Sequence, residues 1–322
     1  MPVFARTPRD LRLILILAAL AIAAIPAGIA LAQPAPFTVA ETGRGYASLQ
    51  QAVDAIGARA GTIVIASGRH RQCAVQAAGS VTYAAQVPGE AMLDGAACEG
   101  KAALVLRGRS AQVRGLVFAN LRVPDGNGAG IRLERGDLAV SQSWFRDSQQ
   151  GVLTADDPAA TILIDKSTFT RLGTCEGAGG CAHSIYVGDY GALAVRRCRF
   201  EAGRGGHYVK SRAGRIEVSN SSFDDSRGHA TNYMIDLPAG ATGTIADNWF
   251  VQGQDKENYS AFIAVAAEGR SHSSNALAIR GNDARLAPDV SRNTVFVADW
   301  SGDRLAIGDN RLGFGLKRFE RR

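Results

Sequence analysis

The sequence predicts an all-β fold, a single-stranded right-handed parallel β-helix (a solenoid) with an N-terminal capping helix, and three observations predict it. The first is a recurring unit, seen in Ala194-Val195-Arg196-Arg197-Cys198-Arg199-Phe200, Glu217-Val218-Ser219-Asn220-Ser221-Ser222-Phe223 and Thr244-Ile245-Ala246-Asp247-Asn248-Trp249-Phe250. Each copy holds an aliphatic residue, two polar or small residues, a Ser, Asn or Cys, any residue, then a large apolar one. The second is spacing: copies recur at intervals of roughly two to three dozen residues, as expected of coils that bury their apolar face only by stacking. The third is composition. With 37 glycines among 322 residues, 46% hydrophobic content and few helical stretches, the chain has a large core to bury and many turns to make.

Taken from the N-terminus, Arg6, Arg9 and Arg12 precede an apolar run from Leu13 to Ile25, then Pro26 and the small-residue exit Ala30-Leu31-Ala32. Residues 1–32 read as a cleaved export signal, and 33–322 as the β-helix domain. The alternative is an uncleaved anchor, because Leu13 to Ala32 is about long enough to span a bilayer. Both place the body in the periplasm or outside the cell, with the membrane touched only through this segment.

Phe37–Val39 reads as a strand, followed by a helix and a second strand at Thr62–Ala66. Ala47, Leu49, Ala52, Val53 and Ile56 recur at helical spacing and Gly57 marks the stop. This cap, residues 37–68, covers the first coil, whose open edge would otherwise pair with another chain.

Coils then run from about 81 to 313. Pro88-Gly89 and Asp94-Gly95 are turn signals. The aliphatic position falls at Val113, Val140, Ile164, Val195, Val218, Ile245, Ile279 and Ile307. The polar position holds Leu116, Ser143, Ser167, Cys198, Ser221, Asn248, Asn282 and Asn310, and the closing position Phe118, Phe145, Phe169, Phe200, Phe223, Phe250, Ala284 and Leu312. At roughly 2 to 3 kcal/mol per buried Phe, six in a column form a hydrophobic spine. A second strand precedes each unit, for example Ser184–Gly188, His207–Ser211 and Tyr233–Leu237. Coil length varies most at Gly173–Gly180 and Ala266–Ser274, and long inserts on a solenoid build the walls of its site.

The net charge of +6 falls to about +4 without residues 1–32, and most of that sits in the tail Lys317, Arg318, Glu320, Arg321 and Arg322. The body is near neutral, which argues against a nucleic-acid partner. Arg196, Arg197 and Arg199 cluster, but without the aromatic-basic pattern of a single-strand binder. Of the five cysteines, Cys175 and Cys181 flank a flexible loop that a disulfide can close. Cys73 and Cys98 are a candidate second pair, leaving Cys198 as a buried thiol. The spacings suggest no zinc site, and a monomer is expected.

The cap Gly45–Ala55 with Gly61–Ile65, followed by coils of this kind, resembles the right-handed parallel β-helix proteins of the pectate-lyase-like superfamily over residues 37 to 313. The resemblance implies the fold more firmly than an activity, since this fold hosts lyases, hydrolases, epimerases and non-catalytic adhesins.

Aligning the second strands on Val187, Val209 and Ile235 stacks Tyr186 over Tyr208 and Lys210 over Asp236, with Arg212 on the same outward face. His183 and His207 stand at strand entrances, and Tyr233 and His229 lead into the following coil. Such a face suits an acidic, uronate-containing polysaccharide, because aromatic rings pack on sugars and a guanidinium grips a carboxylate with two hydrogen bonds. The expected chemistry is β-elimination or epimerisation. Lys210 is the candidate base, provided Arg212 lowers its pKa, with Tyr208 or His207 as acid and Arg212 neutralising the substrate carboxylate. Tyr186, His183, Asp236, Tyr233 and His229 are candidate substrate contacts.

Lys210-Ser211 also resembles the Lys-Ser motif carrying the base in alginate and chondroitin lyases of this fold. Here Tyr233-Met234-Ile235-Asp236 replaces that family's Arg-His-Gly segment and its acidic calcium motif is not evident, so neither the acid nor the metal carries over; no cofactor is assigned, and calcium stays open without a clear motif to hold it. The alternative function is a non-catalytic polysaccharide-binding or cell-envelope protein, with Lys210 and Asp236 a plain ion pair between coils. Asp156-Asp157 and Asp224-Asp225 fall in turns and lack the motifs of a hydrolase. Trp144 and Trp249 point outward, packed under a loop or open to sugar.

Overall fold

The computed structural model describes residues 35–176 and 180–322; residues 1–34, on which the export-signal reading falls, and residues 177–179 lie outside the described residues. Three sheets run the length of a parallel β-solenoid. Sheet A has twelve strands, ending at Ala306–Ile307. Sheet B has ten, from Gly68–His70 to Arg311–Leu312, and sheet C ten, from Ala74–Gln76 to Leu316–Arg321. Each coil visits A, B and C in turn, as in Tyr190–Arg196, Arg199–Glu201 and Val209–Ser211.

The repeat sets the register. All eight aliphatic positions from Val113 to Ile307 pair one above another in sheet A. Phe118, Phe145, Phe169, Phe200, Phe223 and Phe250 pair likewise in sheet B, continued by Ala284 and Leu312. Their rings stack nearly parallel, with centroids 4.7 to 4.9 Å apart. That is the strand spacing of a sheet, so backbone pairing and ring stacking are satisfied by one repeat distance.

A tight corner joins sheets A and B. The residue before the polar position is left-handed in successive coils, with φ between 48° and 57° at Gln142, Lys166, Arg197, Asn220 and Asp247, and glycine at 115 and 281. A single left-handed residue reverses the chain within one step, at about 1 kcal/mol or more for a residue with a Cβ. The corner then aims the next side chain inward, where it offsets that cost. The Cys198 N–H donates to Ser221 Oγ (3.0 Å), the Ser221 N–H to Asn248 Oδ1 (3.0 Å), and the Asn248 N–H to Asn282 Oδ1 (3.0 Å). Asn282 continues to Asn310 at 3.1 Å. Leu116, assigned to the same ladder, is instead an apolar core residue.

The helix forms at Leu49–Ile56 with Leu49, Ala52, Val53 and Ile56 buried, and Gly57 ends it at φ 60°. Ala47 lies before it and is exposed. Phe37–Val39 pairs antiparallel with both Arg44–Tyr46 and Ala60–Ile65, so the cap also closes the edge of sheet A. Coils begin earlier than the turn signals indicate, since Gly68–His70 and Ala74–Gln76 already belong to sheets B and C. The basic tail is a correction as well: Leu316–Arg321 is the last strand of sheet C, with Lys317 opposite Val295 and Phe319 opposite Val297. No helix among the described residues is long and apolar enough to cross a membrane.

Cys73–Cys98 and Cys175–Cys181 are disulfides and Cys198 is a buried free thiol, as the spacing predicts. Burial pushes the Cys198 thiol up to about 12, which leaves it protonated and unreactive.

Candidate functional site

Sheet C carries the site, and its register corrects one alignment. Ile185, not Val187, lies opposite Val209, and Val209 lies opposite Ile235. The slip is two residues, so the outward face is preserved while the partners change. Tyr186 stacks over Lys210, and Lys210 over Asp236.

Tyr208 leaves the face for a different reason, since it lies ahead of the strand, which starts at Val209. It is 1% exposed, its ring lies edge-on to Phe200 and Phe223, and its hydroxyl donates to Asp225 Oδ1 at 2.7 Å while accepting from the Gly203 N–H at 3.0 Å. Burial holds its pKa well above 10.0, so it serves the coil interior and cannot act as an acid on a polymer outside. Asp225, a carboxylate of the rejected hydrolase reading, is fully buried there, 3.1 Å from the equally buried Lys256 ammonium. Thr231 Oγ1 also donates to Asp225, at 2.8 Å.

The remaining residues do converge. Lys210 Nζ lies 3.3 Å from Asp236 Oδ2, 2.6 Å from Glu268 Oε1 and 5.9 Å from the centre of the Tyr186 ring. Arg212 donates through Nε to the Tyr186 hydroxyl at 3.1 Å and through Nη2 to the other Glu268 oxygen. Behind this row stand His207, with Nε2 3.5 Å from Asp236 Oδ2, and His183, whose Nδ1 accepts the His207 backbone N–H at 3.0 Å. The His183 ring meets Tyr186 edge-on at 5.4 Å, and His207 lies 5.7 Å from Tyr233. Tyr233 is half-buried and its hydroxyl accepts from Asn258 Nδ2 at 2.9 Å. His229 is apart from the row, exposed and paired with Asp255.

Charge states follow from the surroundings. Burial pulls the Lys210 ammonium down, but Asp236 and Glu268 outweigh it, so its pKa is raised. Arg212 does not lower it, and the two carboxylates favour the Lys210 ammonium over the free amine that a base needs. Burial raises Asp236 to about 6, against the opposing pull of Lys210. Its Oδ1 is buried without a hydrogen-bond partner. Burial also pushes His183 to about 3 and His207 well below 6.5, so both imidazoles are neutral. The His183 acceptor is taken by the His207 N–H and both side chains are almost wholly buried, so the two neutral rings brace the row from behind.

Glu268 is the residue that sequence reasoning missed. Its signal was the variable-length segment at Ala266–Ser274, flagged as a wall without a named side chain.

Elsewhere, the arginine cluster is paired within the protein: Arg196 with Glu217, Arg197 with Asp165 and Arg199 with Glu201. Trp144 and Trp249 stand on the outer face of sheet B, 39% and 38% exposed, with Arg146 over the Trp144 ring. Among the described residues, the close grouping of metal-type ligands is Cys175, Cys181 and Glu257, but both sulfurs are engaged in the disulfide.

No protein-family model matches the chain, and no curated protein matches it. Among solved structures it is similar to ORF18 of Geobacillus virus E2, at 13% identity and a TM-score of 0.48, over 84% of this chain. The chain spans 56% of that protein's length.

Proposed function

We propose that this is an exported, carbohydrate-active β-helix protein of the pectate-lyase-like kind, taking a uronate-containing polysaccharide along the outer face of sheet C. The observation that carries the reading is the convergence of Lys210 and Arg212 on one carboxylate, that of Glu268. Two cations spaced to hold a carboxylate, beside an outward tyrosine and two neutral imidazoles, form a seat for an acidic sugar. Such a seat favours proton removal from the carbon next to the carboxylate, because neutralising that group lets the developing negative charge spread onto it. β-Elimination or epimerisation is therefore the chemistry of the face. In this reading Lys210 and Arg212 neutralise the substrate carboxylate, His183 and His207 brace Tyr186 and Asp236 from behind, and in elimination the Tyr186 oxygen takes the C5 proton as its own proton passes to the leaving glycosidic oxygen.

A binding role without turnover is the second reading. It is favoured by Lys210 being held protonated by two carboxylates, which leaves the row without a strong base.

Incubation with a panel of uronate polymers separates the two. Elimination leaves an unsaturated sugar absorbing in the ultraviolet, and epimerisation exchanges the sugar's C5 proton with deuterated solvent. Retention of a polymer with neither signal selects the binding role. Failure of every uronate polymer to bind or react, or binding that Lys210→Ala with Arg212→Ala leaves unchanged, removes the proposal.

A further inference from the structure

The segment after Val265 does more than wall the site. It turns at Ala266, which is left-handed at φ 58°, and lies along the preceding coil through Glu268 N–H to Pro238 O (3.0 Å) and His272 N–H to Ala239 O (2.9 Å). From there it reaches further coils: Glu268 crosses to Lys210 and Arg212, and His272 Nε2 lies 3.1 Å from Asp189 Oδ1. The Glu268 side chain is 45% exposed, whereas Lys210 beneath it is 12% exposed. A Cβ built on Gly269, next in the chain, would meet nothing within 4 Å, so the segment beside Glu268 is not packed over on that side.

We propose that this segment is a strap and that Glu268 is a built-in occupant of the carboxylate seat, which a substrate uronate must displace. The inference rests on the uronate reading and adds its regulation. A glutamate spanning two cations presents the same group, with the same two oxygens, as the sugar acid would. Binding therefore exchanges one carboxylate for another at the cations, and the strap lifts by the length of one side chain. Selectivity follows from the exchange: a neutral sugar cannot replace the charge Glu268 brings and leaves the strap closed. Apparent affinity is reduced by the fraction of molecules in which the strap is shut, so a strap closed nine-tenths of the time weakens binding about tenfold.

The test compares the wild-type chain with Glu268→Gln, Glu268→Asp and Arg212→Gln, titrated with short oligomers of polygalacturonate and alginate and with their carboxyl-reduced neutral analogues. Hydrogen exchange of the amides in residues 266–275 is followed in parallel. Glu268→Gln is expected to bind an acidic oligomer about tenfold tighter than wild type, with Glu268→Asp between them and no gain for the neutral analogue. The oligomer should speed exchange in the wild-type strap. If Arg212→Gln loses binding but Glu268→Gln binds no tighter than wild type, the uronate reading stands and the strap inference is overturned. If no variant binds any acidic oligomer, the uronate reading fails and the inference goes with it.

Discussion

Lys210 sits 3.3 Å from Asp236 on the next coil, and that carboxylate is itself almost wholly buried. The pair joins a held cation to an acid whose burial opposes its ionisation, raising it from 3.8 to about 6. A carboxyl whose folded pKa lies above its unfolded value stabilises the fold at low pH, and that contribution is lost as pH rises through the folded value. The difference in unfolding free energy between wild type and Asp236→Asn should therefore decline from about pH 4 and level off above about pH 6 to 7. Urea unfolding at stepped pH measures it. A difference that grows with pH would place Asp236 in a stabilising ionised pair instead.

Tyr186 and Tyr208 should separate function from stability. Tyr208→Phe leaves Asp225 short of one donor inside the coil, at a cost of about 1 to 3 kcal/mol, with polymer binding unchanged. Tyr186→Phe should change stability by less than about 0.5 kcal/mol while weakening binding or turnover, since its half-exposed hydroxyl meets Arg212 on the outer face. Urea midpoints and polymer binding on both variants check the assignment.

The phenylalanine column should answer as a packed stack. Phe169→Ala removes a fully buried ring between Phe145 and Phe200 and should destabilise by about 3 to 5 kcal/mol. Trp144→Ala, on the outer face of the same sheet, should cost far less. Denaturant midpoints of the two variants give the comparison.

The asparagine ladder should be sensitive to losing one rung. Asn248 accepts the Ser221 N–H and donates to Val218 O (2.9 Å) and Asn282 Oδ1 (3.0 Å). Asn248→Ala strands buried partners on both adjoining coils, and a loss of about 2 to 4 kcal/mol is expected from their desolvation. Hydrogen exchange should show the Ser221 amide losing protection before the Phe200 coil does.

The sequence by itself determined the coil. The Val, Phe and Asn columns recur once per coil, so the inward face, the strand order of sheets A and B and the capping helix were legible from residue type and spacing, and the cysteine positions marked both disulfides as candidates. Local pattern has no such hold on sheet C. Its strands are three residues long at Ile185–Val187, Val209–Ser211 and Ile235–Leu237, and a two-residue slip preserves both alternation and apolar content. Only the closing of each coil against its neighbours decided that Tyr186 faces Lys210 while Tyr208 turns inward to Asp225. Tertiary structure also decided the site's charges. Glu268 is 58 residues from Lys210 in the chain, and the burial that keeps His207 and His183 neutral, and Asp236 near 6, exists only once the coils have stacked.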